Sequence, residues 1–131
     1  MKGILYPTTP ERIASIMGGE QLFYSVGKSM NETAGPMQVL LYETKNSGGC
    51  GLITAMIWIG SGYEFRRNSV DKVAAMAYCP ELNFSAATIG GKPKYFYEIL
   101  HRERLVRPKE IREVVLRGST KPPRVWKMIE L

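Results

Sequence analysis

Apolar and polar positions along this 131-residue chain fall into short segments separated by glycine, proline and asparagine, the layout of strands and brief helices in one domain. The run GILY, closed by Pro7, predicts a first strand. TTPERIASIMGG predicts a helix: Thr9 is placed to cap it, Pro10 takes the first position, where no N–H is needed, Glu11 suits the first turn, and Gly18 and Gly19 end it. Ile13, Ile16 and Met17 form its single apolar stripe. QLFYSV predicts a strand and GKSMNETAGP the loop after it. MQVLLYETK and LITAMIWIG, joined by NSGGCG, predict a hairpin. Polar residues do not alternate in LITAMIWI, so both faces of that strand are expected to be covered, with Trp58 in the core.

SGYEFRRN reads as a polar connection, and SVDKVAAMAYCP as a second helix, capped by Asn68 or Ser69 and stopped by Pro80. KYFYEILHRERL predicts a long strand broken at Pro108, and RVWKMIEL a last strand after GSTKPP. The predicted order is β-α-β-β-β-α-β-β with mostly antiparallel neighbours. It describes one α+β domain over residues 1–131, about five or six strands in a small mixed β-barrel with two main helices packed around it.

Composition narrows this little. A hydrophobic fraction of 44% and a mean hydropathy of −0.16 are those of a soluble globular domain. The longest apolar run is about half of what spans a bilayer, and the run after Met1 is too short for a secretory leader. No membrane partner is expected, and the expected location is the cytoplasm. Cys50, Cys79 and the single His101 make neither a disulfide framework nor a zinc site. No metal or cofactor is expected. Composition allows a catalytic Cys50–His101 pair, which spacing does not place together.

Charge changes the picture more. Residues 1–91 carry seven Lys/Arg and seven Asp/Glu, whereas residues 92–131 carry eleven and five, so the whole net charge of +6 lies in the last forty residues. Cations interleaved with Tyr95, Phe96, Tyr97 and Trp126 are the footprint expected of a nucleic-acid partner; the alternative is a solvated basic face that serves solubility.

GGEQLFYSVGKS ends like a phosphate-binding loop, but the pattern G-x-x-x-x-G-K-[ST] needs a glycine where Leu22 stands, and Phe23 to Val26 are strand formers. Nucleotide hydrolysis by such a loop is not expected. The hydroxyls and ammonium of Ser25, Lys28 and Ser29 can still meet a phosphate or ribose, and Gly27 lets a ligand come close.

PERIASIMGGEQ as a helix before a strand, VLLYETK and GGCG leading into a buried strand, then KYFYEI and KPPRVWKMIE together resemble the ASCH domains, whose fold is similar to that of PUA domains. The resemblance covers nearly the whole chain. It implies a PUA-like barrel with a cleft lined by the loop after the first helix and the following strand. It also implies RNA binding and, as in some branches, hydrolysis of a modified nucleoside or cleavage of RNA. Of the family pattern Gly-x-Lys-x-x-Glu-x-Arg, Gly19 matches, while Gln21, Tyr24 and Val26 stand in the charged places. Glutamine serves as neither base nor charged nucleophile, so the amidohydrolase chemistry of that lysine does not transfer.

The remaining candidates sit on loops and strand ends. Arg66 and Arg67 follow the longest apolar strand, and Arg124 lies in the basic tail. Tyr24, Tyr42 and Trp126 are candidates to stack on a base. The leading expectation is an RNA- or nucleotide-binding module using these residues with Ser25, Lys28 and Ser29. The alternative is a small hydrolase of a nucleoside or RNA, with Glu43 as acid or base beside Lys45 or Lys28. A protein-interaction domain without chemistry is the third reading. All three turn on whether the segment after the first helix and the YETK corner share one hollow.

Overall fold

A computed structural model describes residues 2–19, 22–26, 36–65, 88–89 and 92–131. The central strands alternate between two cores. In β1 (Lys2–Thr8), Ile4 faces one buried cluster and Leu5 the other. In β3 (Met37–Glu43), Met37, Val39 and Leu41 face the first, and Leu40 and Tyr42 the second. Period-two side chains on a strand allow this only where both faces are covered. Fully burying each Ile or Leu is worth about 1.5–3 kcal/mol.

The first face is covered by α1 (Pro10–Met17) through Ile13 and Ile16, both buried. The Thr9 hydroxyl accepts from the Arg12 N–H at 3.1 Å, and Gly18 ends the helix as expected. Two arginines fix its position. The Arg102 guanidinium, on β6 (Lys92–Lys109), donates to the Ile16 carbonyl at 3.0 Å. Arg12 lies over the rings of Tyr6 and Phe23, 5.1 and 4.8 Å from their centroids, and donates to the Tyr6 hydroxyl at 2.8 Å. Phe23 belongs to β2 (Leu22–Val26).

The sheet runs β2-β6-β4-β3-β1-β7, with β4 over Ile53–Phe65, β7 over Lys127–Glu130, and the short β5 (Thr88–Ile89) paired to β6. Only β1 and β3 run parallel among the described pairs; the β3–β4 hairpin is antiparallel, as expected. The architecture is therefore a small α+β domain with a mixed sheet. The expected barrel is not closed by the described pairings, in which β2 and β7 stand at opposite ends of an open path.

Four sequence readings are corrected. Pro7 does not end β1, because pairing with β7 stops at Leu5 and the missing N–H falls where that ladder has already finished. SGYEFRRN is not a polar connection from its start: β4 runs on to Phe65, with Gly62 to Phe65 paired to Tyr97 to Lys94 beyond a register shift. Pro108 does not break β6, because the register jumps from Arg104 opposite Ala55 to Lys109 opposite Ile53, so the proline sits in a bulge where no ladder bond is required of it. Trp58 is half-buried, opposite His101 and Gln38, and belongs to neither core cluster. The helix expected over SVDKVAAMAYCP, like Cys79, lies outside the described residues.

A second described helix, which the sequence did not announce, is α2 (Ile111–Val114). It covers the other face: Ile111 packs with Leu5, Leu40, Tyr42, Ile53 and Ile129, flanked by Val114 and Val115. No helix of the described residues is long and apolar enough to cross a membrane.

Ile57 is fully buried in the first cluster, so Ile57→Ala is expected to lower unfolding free energy by about 2–5 kcal/mol. Thr9→Ala, which removes only a cap, is expected to cost about 1 kcal/mol. Urea unfolding of the two variants checks the ranking.

Candidate functional site

The corner after β3 is built by backbone bonds from few residues. The Thr44 N–H donates to the Thr8 carbonyl at 3.1 Å, tying the corner to the end of β1. Gly49 N–H donates to Thr44 O at 2.9 Å and Gly51 N–H to Glu43 O at 3.0 Å, closing the turn. Between them a single 3-10 turn, Lys45–Ser47, is stopped by Gly48 at φ +85°. The Ser47 hydroxyl meets the Thr44 hydroxyl and also donates to the Thr44 carbonyl at 3.0 Å. Gly51, at φ +73°, has no side chain in the path of the Lys45 stem, which lies across it.

The opposite wall comes from the far end of β6. Glu110 and Glu113 form a reciprocal capping box around α2, with the Glu110 N–H donating to Glu113 Oε2 at 2.7 Å. Arg112 Nε donates to Glu110 Oε2, and Arg107 donates to Glu113 Oε1 at 3.0 Å.

These walls border an open cleft of about 370 Å³. Tyr42, Gly51 and Ile111 line it inside, Lys45, Glu110 and Arg112 bring charge to it, and Thr120 and Pro122 complete it from the C-terminal segment. The Glu110 carboxylate is already taken by Arg112 and the helix cap, whereas Lys45 is exposed and makes no ion pair among the described residues. The balance favours an anion, and the volume is that of a small-ligand site. No group of three His, Cys, Asp or Glu that could hold a metal occurs among the described residues.

No family model and no curated protein matches this chain. Solved structures do. The ASCH protein of Zymomonas mobilis superposes with a TM-score of 0.66 at 11% identity, covering 98% of this chain and 87% of that one. Its serine-to-alanine and tyrosine-to-phenylalanine variants each give a TM-score of 0.66 at 12% identity, covering 98% and 99% of this chain and 88% and 91% of theirs. The fold is of the ASCH type.

On this ASCH-type fold the sequence candidates scatter. Tyr42 and Lys45 line the cleft, although Tyr42 is only 4% exposed and offers little face for stacking. Strand alternation places Glu43 on the face opposite Tyr42, away from the cleft. Tyr24 and Ser25 pair with Phe96 and Tyr95, and Tyr95 pairs in turn with Glu64. Tyr42 pairs with Ile53, eleven residues back along β4, so the ladder sets the β2 candidates and the YETK corner at opposite ends of one ribbon. Trp126 is half-buried against the first core cluster, and Arg124 is exposed. Lys28, Ser29, Arg66, Arg67 and Gln21 lie outside the described residues. The register does not bring Cys50 and His101 together: Cys50 is exposed ahead of β4, and His101 pairs with Trp58 in mid-strand, 3.6 Å from Glu103.

Glu110, Arg112, Thr120 and Pro122 escaped the sequence reading. The one available signal was Glu-x-x-Glu just after Pro108, a capping box with glutamate in place of the usual serine or threonine. A Cβ on Gly49 would stand 2.7 Å from the Thr44 carbonyl oxygen, whereas one on Gly48 meets nothing within 4 Å. Gly48→Ala is thus expected to cost about 1 kcal/mol for its left-handed backbone, and Gly49→Ala more, because backbone must move. Chemical denaturation of both variants checks this order.

Proposed function

We propose that this chain is an RNA- or nucleotide-binding module of the ASCH, PUA-like type, which holds a phosphate at the corner cleft. The observation that carries the reading is that Lys45 and Arg112 both line a nucleotide-sized hollow whose one carboxylate among the described lining residues, Glu110, is matched by the Arg112 Nε. Lysine supplies a compact point charge and arginine a planar fork, and both suit phosphate oxygens. The net charge of +6, gathered in the last forty residues, which supply β6 and α2, adds long-range attraction for a polyanion. The ASCH-type fold supports the same reading. A hydrolase built on Glu43 is less well served, because that carboxylate lies on the other face of the sheet from the cleft.

Affinity for RNA is expected to fall steeply as salt rises. Lys45→Ala and Arg112→Ala should each weaken binding about tenfold, the size of one charged hydrogen bond, and each should reduce the slope of log affinity against log salt by about 0.7. Fluorescence anisotropy over a salt series measures both. Unchanged affinity in the double variant would remove the cleft from the function.

A further inference from the structure

Residues 114–129 contain Arg117, Lys121, Arg124 and Lys127 and not one Asp or Glu. The nearest acids upstream are occupied, Glu110 by Arg112 and Glu113 by Arg107. The stretch folds back along β7: the Leu116 N–H donates to the Glu130 carbonyl at 3.1 Å, and the Lys127 ammonium to the Ser119 carbonyl at 3.1 Å. Lys127 therefore serves the fold. Arg117, Lys121 and Arg124 are exposed and make no ion pair among the described residues. The same segment exposes two aliphatic side chains, Leu116 at 71% and Val125 at 72%. Through Thr120 and Pro122 it also forms part of the cleft, so one continuous surface leads from the cleft onto the segment.

Resting on the cleft's reading as a phosphate site, we infer that the segment 116–127 is a backbone track for single-stranded RNA, so that the ligand is an oligonucleotide running out of the cleft and not a free nucleotide. Three unpaired cations outside the cleft have no use for a mononucleotide, whose charge ends at its own phosphate. A longer strand presents one further phosphate per residue. The exposed aliphatic groups among the cations choose the single strand. Unstacked bases carry apolar faces that gain by covering Leu116 and Val125, whereas a duplex keeps its bases stacked and shows the protein phosphates and groove edges.

The test uses the full chain, anisotropy readout, and 5′-phosphorylated RNA probes of one, about four and about eight nucleotides, within the span of small single-strand sites. An RNA duplex of matching length and phosphatidylserine vesicles complete the set. Affinity is expected to rise by roughly tenfold or more from the mononucleotide to the longest single strand, and to exceed that for the duplex and the vesicles. The Arg117→Gln/Lys121→Gln/Arg124→Gln variant should lose most of the gain with length and flatten the salt slope by about 2, at about 0.7 per cation. Arg117→Lys/Arg124→Lys should keep both, which separates lost charge from a damaged fold. If the triple variant keeps the length dependence, or duplex or vesicles bind as well as the single strand, the track is overturned. If RNA binds through Lys45 and Arg112 but affinity does not grow with length, this inference falls alone; if no RNA binds, the proposed function falls with it.

Discussion

Two-sided burial of the central strands is the constraint from which the rest of the molecule follows. Because β1 and β3 present apolar side chains alternately to both faces, neither face can be left to water. α1 closes one face with Ile13 and Ile16. The other has no long helix among the described residues and is closed by a short turn of four residues, Ile111–Val114, with Ile111 as its central anchor. A segment this short covers only part of the face, and the cleft is the hollow left between it and the Lys45 corner. Core and cleft thus share Tyr42 and Ile111, and a change that loosens one reshapes the other.

Arginine is used structurally on the α1 side and only in part on the other. Arg12 places its charge against two aromatic faces and a hydroxyl, and Arg102 adds a second donor to the Ile16 carbonyl, which also accepts from the Gly19 N–H at the end of α1. A cation engaged in this way is a poor ligand for phosphate, since binding would first have to break its internal contacts. On the α2 side the internal contacts occupy carboxylates as well as cations: Glu113 takes Arg107, and Glu110 takes the Nε of Arg112, whose terminal amino groups face no acid among the described residues. Among the described residues, what this leaves for an anion at the cleft is the Lys45 ammonium and the terminal amino groups of Arg112.

The sequence announced this architecture strand by strand and missed how the strands share their ends. Alternation made β3 and β4 legible as a hairpin covered on both faces, and punctuation by Thr9, Pro10 and Gly18 marked α1 almost to the residue. Two of the misreadings lie at bulges. Gly60 to Gly62 and Leu105 to Pro108 look like breaks, because glycine and proline interrupt propensity, yet a bulge lets the partner strand carry pairing across them. Trp58 was misplaced because size and apolarity say that a side chain gains by burial, not that the face it points to is covered. The cleft was half legible. Tyr42 and Lys45 stood out at a glycine-rich corner, but their partners come from residues 110–122, and no local pattern states which distant segment will lie across a given strand.

The same consideration bears on why the C-terminal segment is held in place at all. Among the described residues it has no regular structure between Val115 and Trp126, and an unrestrained stretch of that kind would lose conformational entropy on meeting a ligand. Two bonds to the β7 side, at Leu116 and Ser119, fix its first arm, and Pro122–Pro123 restrict the backbone where the segment passes the cleft. Part of the ordering cost is therefore met during folding, when the segment docks beside a sheet that must be covered in any case. Lys127 forms the second of those bonds, so one of the four cations of the segment is given up to hold the other three in position. Rigid charge is worth more to binding than mobile charge of the same number, because less freedom is lost when the ligand arrives.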